Sequence, residues 1–342
     1  MNNQSVTKAM IMSAGVGSRL EPLTLSIPKP LIPVANRPVM DILFDKLKAV
    51  NITDVICNTY YLADSIIKRY ENNNIGINFN YIKEENLSGT AGGLKKCQKF
   101  FKEGDTFVVL SADGLTNADL KKGIDAHIKS GAIATIGIKK IPHEYVSHFG
   151  VVVTDKDGFI QEFQEKPSIE EAKSNYINTG IYIFNYKIFD FIPENTFYDF
   201  AKNVFPQLLT TCGINTFEIS EYWTDIGTIG QYKQSSKDLF NGLCSFEHSE
   251  IIKTPSGKFI KGSTDIPQDT KFVGISTIGN NCKIGKNVTI IDSIIWDNVS
   301  IADNVTIKDS VIASGCKIEA DTDNLILGAN HFFCGNKVEI NA

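Results

Sequence analysis

Isoleucines recur every six residues toward the end of the chain, and this period constrains the fold more than any other feature. A five-residue step marks each break, and small or polar residues lie between, among them Gly279, Gly285, Asn287, Asn298 and Asn304. A hexapeptide repeat is typical of a parallel β-helix, in which each coil stacks its inward aliphatic side chains on the next. An irregular β tail is the alternative, and the length of the repeat favours the β-helix. The repeated positions are Ile278, Ile284, Ile290, Ile295, Ile301, Ile307, Ile312 and Ile318.

Short apolar runs alternate with helix-like segments from the start of the chain to about residue 240. This order predicts an α/β domain with a mainly parallel sheet covered on both faces, and ligands of such sheets bind at the carboxyl ends of the strands. The predicted strands are Lys8–Ser13, Asp54–Thr59, Ile77–Ile82, Thr106–Ser111 and Ala132–Ile138. The predicted helices are Val39–Val50, Leu62–Tyr70, one from Ala91, and Asn117–Lys129.

The pattern changes to a hairpin around Gly150, where apolar residues flank the turn Asp155–Gly158. With 342 residues and 42% hydrophobic content, the chain is long enough for one large domain and a smaller one. We predict an α/β domain over residues 1–245 and a hexapeptide-repeat domain over residues 246–342.

The charge of the chain limits the partners that it can bind. The formal net charge is -5 and no block of Lys or Arg occurs, whereas proteins that bind nucleic acid or membrane surfaces need an electrostatic footprint. Residues 1–12 lack the pattern of a secretory signal, and no apolar run approaches the roughly 18 residues that span a bilayer. We expect a cytoplasmic protein that binds neither nucleic acid nor membrane.

Cysteines and histidines form no recognisable disulfide or metal pattern. The seven cysteines include no close pair, which fits neither a disulfide framework nor a zinc site. The five histidines include no ligand-spaced pair, so we do not expect a histidine-based metal site.

A glycine-containing loop follows the first predicted strand. Its small residues let the backbone approach an anion closely, while Arg19 and Lys29 bring positive charge to the same segment. An ordinary strand-to-helix turn is the alternative, and the two cations favour a triphosphate site. The loop lacks the Lys-Ser/Thr ending of a P-loop and the third glycine of a dinucleotide fingerprint. The residues predicted to bind a nucleotide here are Ala14, Gly15, Gly17, Ser18, Arg19 and Lys29.

Together with Pro28–Pro30, this loop resembles the signature of the sugar-nucleotide pyrophosphorylases, nucleotidyltransferases that make an NDP-sugar from an NTP and a sugar 1-phosphate. The family usually has glycine at the position of Ala14 and often threonine at that of Ser18, and both changes keep the residues small. Several subclasses carry a left-handed β-helix at the C-terminus. The resemblance therefore implies a Rossmann-like mixed, mainly parallel sheet, the nucleotide-diphospho-sugar transferase fold, followed by a short left-handed parallel β-helix.

Two aspartates resemble the metal-binding pair of that family. Asp113 follows the strand Thr106–Ser111, and Asp225 stands between Trp223-Thr224 and Ile226-Gly227. For Asp113 alone, capping of the next helix is the alternative. The resemblance implies that Asp113 and Asp225 hold a catalytic Mg²⁺, which keeps several waters and binds few protein groups.

The sugar phosphate is assigned to a second set of motifs. Glu165, Lys166 and Pro167 match the family's Glu-Lys-Pro motif, although an isolated Glu-Lys pair is usually only a solvated surface. The resemblance implies that Lys166 pairs with the sugar 1-phosphate and that Glu165 accepts hydrogen bonds from sugar hydroxyls. The residues implied to bind the sugar phosphate are Gly150, Glu165, Lys166, Asn178 and Thr179.

A further glycine-rich loop opens the helix near Ala91, where an ordinary helix start is the alternative. In the family this loop contacts the base, and the version here is similar to that of mannose-1-phosphate guanylyltransferases. It favours GTP with mannose 1-phosphate, and a uridylyl- or thymidylyltransferase acting on glucose 1-phosphate or another hexose 1-phosphate is the alternative. The residues implied are Gly89, Thr90, Ala91 and Gly92.

Joining two polyanions requires cations, because unit charges about 4 Å apart repel by about 4 kcal/mol at an effective dielectric constant near 20. Catalysis then depends on alignment and on charge stabilisation. We expect in-line attack of the sugar phosphate on the NTP α-phosphorus, without a protein nucleophile. The expected catalytic residues are Arg19, Lys29, Asp113, Lys166 and Asp225.

Two other classes of function remain as alternatives. A regulatory paralogue would bind NDP-sugars without turnover, but all five expected catalytic residues are present. An acyltransferase would use a β-helix and a histidine base, but His331 lies outside the regular repeat. The β-helix is also a plausible surface for homo-oligomer assembly, since an open coil end needs capping.

Overall fold

The computed structural model describes residues 6–335 and 337–340. Its contacts divide the chain into two compact units. Among the described residues, the first unit comprises 6–15 and 43–225, and the second comprises 16–42, 226–335 and 337–340.

The elements of the α/β part alternate along the chain much as the sequence predicts. Its strands are β1 (Lys8–Ser13), β2 (Pro33–Val34), β3 (Arg37–Pro38), β4 (Asp54–Thr59), β5 (Asn78–Lys83), β6 (Thr106–Ser111), β7 (Gly114–Thr116), β8 (Ala134–Lys140), β9 (Gly150–Thr154), β10 (Ile160–Glu165), β11 (Tyr176–Asn185), β12 (Asn215–Glu218) and β13 (Trp223–Asp225). Its helices are α1 (Val39–Lys48), α2 (Ala63–Tyr70), α3 (Gly89–Lys96), α4 (Leu120–Ser130), α5 (Phe205–Thr211) and α6 (Ile229–Phe240).

A mixed nine-stranded sheet forms the centre of the first unit within the described residues. Strand β1 lies between β4 and β6 and runs parallel to both, and β5 extends the sheet beyond β4. Strand β11 pairs antiparallel with β6, β8 and β9. The apolar runs are buried on both faces, with Met10 and Ile11 at 0% exposure, as strands covered by helices require. The predicted mixed α/β fold is confirmed.

The start of α4 differs from the prediction by three residues. The sequence predicts a helix from Asn117, whereas the helix begins at Leu120. The Asp119 carboxylate accepts a hydrogen bond from the Lys122 amide and so satisfies one of the first unpaired N–H groups. Gly131 ends the helix in the left-handed conformation with φ of 65°.

The predicted hairpin is present as β9 and β10, which pair antiparallel. The Asp155 carboxylate closes its turn by accepting hydrogen bonds from the amides of Asp157 and Phe159, both at 2.9 Å. An aspartate at the start of a turn commonly folds back on the backbone in this way.

The second unit contains the predicted β-helix. Its strands are β14 (Ile252–Lys253), β15 (Gly257–Lys261), β16 (Lys271–Ile278), β17 (Lys283–Ile284), β18 (Thr289–Ile291), β19 (Ile294–Ile295), β20 (Ser300–Ile301), β21 (Thr306–Lys308), β22 (Val311–Ile312), β23 (Lys317–Ile318), β24 (Thr322–Asp323), β25 (Ile326–Leu327), β26 (His331–Phe333) and β27 (Val338–Ile340).

Parallel ladders stack the repeated isoleucines in register. Ile278 pairs with Ile295, and Ile295 pairs with Ile312. All three are fully buried, and they belong to one apolar cluster. Asparagines turn the corners in the left-handed conformation, which asparagine adopts more readily than most residues. These corner residues are Asn281, Asn287, Asn298, Asn304, Asn324 and Asn330.

Among the described residues, no helix combines the length and the apolar composition that a membrane crossing requires.

Candidate active site

Asp113 lies at the carboxyl end of β6. The Ala112 amide donates to the Met12 carbonyl over 3.1 Å, so the chain stays paired with β1 up to the aspartate. The Ser111 hydroxyl donates to Asp113 Oδ1 over 2.6 Å and orients the carboxylate. Asp119, not Asp113, caps the following helix. The capping alternative for Asp113 is therefore wrong.

Asp225 lies beside Asp113 in the first unit. Strand β13 pairs antiparallel with β7, and Asp225 stands opposite Gly114, the residue that follows Asp113. Opposite residues of antiparallel strands have Cα atoms about 5 Å apart. Both aspartates are half-buried. The structure thus brings together the backbone of two aspartates that the sequence places 112 positions apart.

Thr179 connects β11 to the strand that carries Asp225. The Trp223 indole N–H donates to the Thr179 carbonyl over 3.0 Å, which links β11 to β13. The Thr179 hydroxyl is buried and donates to the Gly137 carbonyl over 2.7 Å. A contact of Thr179 with a sugar would therefore have to use its backbone.

Asn178 shapes the same strand. Its Oδ1 accepts from the Gly180 amide and its Nδ2 donates to the Tyr182 hydroxyl, both over 3.0 Å. Burial raises the pKa of the Tyr182 phenol, and the charges of Asp199, Glu165 and Asp113 raise it further. The phenol thus stays neutral.

The hairpin β9–β10 carries Gly150 and Glu165, and Lys166 directly follows it, whereas the predicted residues Asn178 and Thr179 lie on β11. Gly150 stands opposite Glu165 in the hairpin. The Lys166 amide donates to the Phe149 carbonyl over 3.2 Å, and the Phe149 ring meets the Trp223 ring edge-on at 5.7 Å between centroids. These contacts join the hairpin to β13 and so to Asp225.

Lys166 is held in a conformation that is rare for its residue type. Its φ is 48°, and such strain persists mainly where surrounding structure enforces it, often at ligand sites. Lys166 Nζ lies 3.8 Å from Glu165 Oε1, and the lysine side chain is 62% exposed. An exposed pair of this kind contributes little energy, so the ammonium can turn toward a bound anion.

Residues 89–92, which the resemblance assigns to the base and which we term the base loop, open α3. A backbone segment far along the chain holds them. The Tyr198 carbonyl accepts from the amides of Ala91 and Gly92, both over 3.0 Å, and the Tyr198 amide donates to the Ser88 carbonyl over 2.8 Å. Gly89 has φ of 78°, and a Cβ there would lie 2.4 Å from the Tyr198 carbonyl oxygen. The amides of Ala91 and Gly92 are therefore engaged within the protein, not free as at an ordinary helix start.

Thr90 is held by the residue next to Tyr198. Its hydroxyl donates to Asp199 Oδ2 and accepts from the Phe200 amide, both over 2.9 Å. The Asp199 carboxylate also accepts from the Ala201 amide over 2.9 Å. Sequence reasoning did not identify Tyr198 or Asp199, because no local motif marks a partner more than 100 residues away.

A buried carboxylate supports the other side of the base loop. Glu84 has a side chain that is 1% exposed and accepts from Lys96 Nζ over 2.9 Å. It also accepts from Asn58 Nδ2 over 2.7 Å and from the Ser88 hydroxyl. A buried charge is tolerated only with such partners. Glu84 directly follows β5, as Asp113 follows β6, and this position was the available signal in the sequence.

The residues of the triphosphate loop are divided between the units. Ala14 and Gly15 end the β1 segment in the first unit, where a Cβ on Gly15 would meet no atom within 4 Å. Gly17 begins a tight turn in the second unit with φ of 74°, and its carbonyl accepts from the Thr24 hydroxyl over 3.0 Å.

The two cations of this loop lie in the second unit with Ser18. Ser18 and Arg19 are exposed and form one short helical turn. Lys29 is half-buried, and its Cβ would lie 3.2 Å from a Cβ on Gly17. Gly17 thus allows the turn and the Lys29 segment to pack closely.

The carboxylates suit one kind of metal ion. Within residues 6–335 and 337–340, no group of three or more His, Cys, Asp or Glu side chains could hold a metal. The pair Asp113 and Asp225 supplies hard oxygen donors from the residue before β7 and from the end of its partner strand β13. Mg²⁺ accepts few protein ligands and keeps waters and substrate phosphates, so this donor set fits Mg²⁺ and would be too small for a structural metal.

Comparison with known proteins identifies two families. The nucleotidyl transferase family model matches residues 8–242, and the model of the EIF2B subunit epsilon LbH domain, a left-handed β-helix, matches residues 246–332.

Individual relatives span most of the chain. The chain is 36% identical over 323 residues to a UTP–glucose-1-phosphate uridylyltransferase from Synechocystis sp., covering 85% of this chain and 83% of that one. It is 29% identical over 293 residues to a mannose-1-phosphate guanylyltransferase from Mycobacterium tuberculosis, covering 84% and 79%. It also superposes with a TM-score of 0.61 and 26% identity on a protein from Bacillus anthracis provisionally assigned as a glucose-1-phosphate thymidylyltransferase, covering 67% of this chain and 94% of that one.

Proposed function

The chain belongs to the nucleotidyl transferase family, and from this premise we propose that it forms an NDP-sugar and pyrophosphate from an NTP and a sugar 1-phosphate. One observation carries the proposal. The carboxylate pair Asp113 and Asp225, the strand with Thr179 and the hairpin with Lys166 form one connected set through Trp223. Phosphoryl transfer between two anions needs such a combination of carboxylates for a metal and a cation for the second phosphate.

The residues of this set have distinct proposed roles. Lys166 pairs with the phosphate of the sugar 1-phosphate, and Glu165 accepts hydrogen bonds from sugar hydroxyls. Asp113 and Asp225 would hold Mg²⁺, which when bound neutralises phosphate charge. The Ser111 hydroxyl orients the Asp113 carboxylate for this purpose. The phosphate oxygen that attacks the α-phosphorus is already ionised, so no protein base is required.

Arg19 and Lys29 are proposed to stabilise the leaving pyrophosphate. Both are cations on the segment of the glycine-containing loop that follows Gly17. Charge developing on a leaving group is stabilised best by donors that are already in place. The short helical turns that fix the backbone at both cations support this role.

For the base and the sugar, we propose GTP and mannose 1-phosphate. The Gly89–Gly92 loop supports this pair, as does the similarity to mannose-1-phosphate guanylyltransferases. UTP with glucose 1-phosphate is the second candidate, favoured by the 36% identity to the uridylyltransferase from Synechocystis sp..

The test is pyrophosphate release by the purified protein with Mg²⁺ across GTP, UTP, CTP, ATP and dTTP. Each NTP is paired with mannose, glucose, galactose and N-acetylglucosamine 1-phosphates. Activity with GTP and mannose 1-phosphate supports the full proposal, and activity with another pair corrects the specificity alone. If no pair released pyrophosphate while NDP-sugar binding was still measurable, the result would contradict the proposed reaction and favour a regulatory paralogue.

A further inference from the structure

The loop that carries Arg19 and Lys29 belongs to the same compact unit as the β-helix. We define this segment as the cation loop, residues 16–38, ending with the β2–β3 hairpin. Specific contacts attach it to the second unit near both of its ends. The position of its cations is thus tied to the β-helix.

The attachment at the end of the cation loop is a buried relay. The Tyr232 hydroxyl, on α6, donates to the Pro33 carbonyl over 2.6 Å and accepts from the Trp296 indole N–H over 2.9 Å. Tyr232 is 0% exposed and Trp296 4% exposed. Burial raises the pKa of Tyr232, so its phenol stays neutral and can donate and accept at once.

The relay ends inside the β-helix ladder. Trp296 directly follows β19, and its amide donates to the Ile312 carbonyl over 2.9 Å. Lys233, next to Tyr232, lies 2.5 Å from Asp309 Oδ1 and also donates to the Asp309 carbonyl over 2.8 Å. Helix α6 is therefore fixed to the coils at the residue beside the relay.

The hairpin tip adds a second attachment. Asn36 Nδ2 donates to the Ile278 carbonyl over 2.7 Å, and Ile278 is an interior residue of the ladder. The neighbouring Ala35 packs into an apolar cluster with Leu239 and Ile260. The hairpin thus rests on the first coils, close in sequence to Pro33.

The start of the cation loop meets the last coils. A Cβ on Gly328 would lie 3.3 Å from both the Cβ and the carbonyl oxygen of Pro22. Glycine allows the coil backbone to approach Pro22 this closely. The cation loop is therefore held at Pro22 and at Pro33; Lys29 lies between these two contacts, and Arg19 lies three residues before the first.

We propose that the β-helix positions the cation loop for the NTP through the relay Trp296–Tyr232–Pro33. Tyr232 and Trp296 are positioning residues that act through Arg19 and Lys29 without touching a substrate. The inference rests on the proposed function for its kinetic consequence. If the β-helix served only assembly, changes to the relay would not selectively lower kcat/KM for the NTP.

The kinetic test uses Tyr232→Phe, which removes both relay hydrogen bonds and keeps the buried ring, and Trp296→Phe, which removes the indole donor and replaces the indole with a smaller ring. Leaving buried polar groups unpaired should lower kcat/KM for the NTP about tenfold, with the KM for the sugar 1-phosphate changed by less than about twofold. Ile312→Val is the matched control, because it removes one buried methylene of the same ladder and leaves the relay intact. Equal effects on both substrates, or an equal effect of the control, would overturn the proposal.

A second readout does not depend on turnover. Amide hydrogen exchange of residues 16–38 in the substrate-free protein should be faster in both phenylalanine variants than in the wild type and in Ile312→Val. Faster exchange confined to that segment supports the positioning role even if no substrate pair reacts. Unchanged exchange overturns it, whatever the outcome of the substrate grid.

Discussion

At the scale of single residues, the structure separates side chains that are already occupied from those that can meet a ligand. Thr90 and Thr179 use their hydroxyls within the protein. Lys166 has only a loose contact with Glu165 and is largely exposed. The two threonines thus support the loop and the strand to which the resemblance assigns binding, whereas Lys166 remains suited to an anion.

Lys166→Ala should raise the KM for the sugar 1-phosphate about tenfold or more and change the KM for the NTP little, since the lost cation faces only the sugar phosphate. Initial rates with each substrate varied in turn test this expectation. Lys173→Ala is the control. Lys173 is an exposed lysine that follows the hairpin and pairs with Glu162 on β10. Equal increases in both KM values would mean that the assignment of Lys166 to the sugar phosphate is wrong.

Gly89→Ala should raise the KM for the NTP, because the new Cβ would collide with the Tyr198 carbonyl and displace the base loop. Gly104→Ala is a matched control. Gly104 also has positive φ, 88°, but its Cβ would meet nothing within 4 Å. The control therefore carries the backbone strain of about 1 kcal/mol without the collision. An equal KM for the NTP in the two variants would mean that the collision with the Tyr198 carbonyl does not affect NTP binding.

At the scale of elements, residue periodicity predicted the strands, the helices and the β-helix, because these depend on interactions between residues close in sequence. The isoleucine period predicted the β-helix ladder, and the apolar runs predicted the strands to within about two residues. The helix cap at Asp119 was missed, although it moved the start of α4 by only three residues. The Tyr198 contacts to the base loop could not be predicted, because they join segments that have no common sequence pattern.

The packing of α4 on β8 predicts a pH dependence of stability. Burial lowers the pKa of His127 from 6.5 to about 4, and its Nδ1 lies 2.9 Å from the Thr135 hydroxyl. In the unfolded chain His127 binds a proton near pH 6.5, whereas in the folded protein it stays neutral until about pH 4. The free energy of unfolding therefore falls as the pH drops from 6.5 toward 4. The loss is on the order of 3 kcal/mol. In His127→Gln, chemical unfolding at pH 7 and pH 4.5 should show a smaller pH dependence by a similar amount. An unchanged dependence would assign the acid sensitivity to other groups.

The β-helix ladder predicts a large effect of truncation. Ile295→Ala should lower the free energy of unfolding by about 2–5 kcal/mol, because Ile295 is fully buried between Ile278 and Ile312. Denaturant unfolding measures this change. Lys283→Ala, at an exposed position of β17 in another sheet of the β-helix, should change it by less than about 0.5 kcal/mol. A small effect of Ile295→Ala would mean that the ladder does not stabilise the unit.

At the scale of the whole molecule, the family matches end at residue 242 and begin again at 246, beside the predicted boundary at 245. Contacts group the chain differently, because residues 16–42 join the C-terminal unit. Sequence order cannot reveal such a grouping, since it depends on contacts between distant segments, such as that between Asn36 and Ile278. The cytoplasmic location and assembly through the β-helix stay predictions.

The most direct test of the account is pyrophosphate release by wild-type protein and Asp113→Asn, side by side, with the most active substrate pair and saturating Mg²⁺. The substitution keeps the shape of the side chain and removes its charge. Asp119→Asn, at the helix cap, is the control. We predict that the wild type and the control release pyrophosphate at similar rates. In Asp113→Asn the rate should fall by roughly 100-fold or more while the fold stays intact. Wild-type rates in Asp113→Asn would contradict the assignment of the carboxylate pair and with it the proposed mechanism.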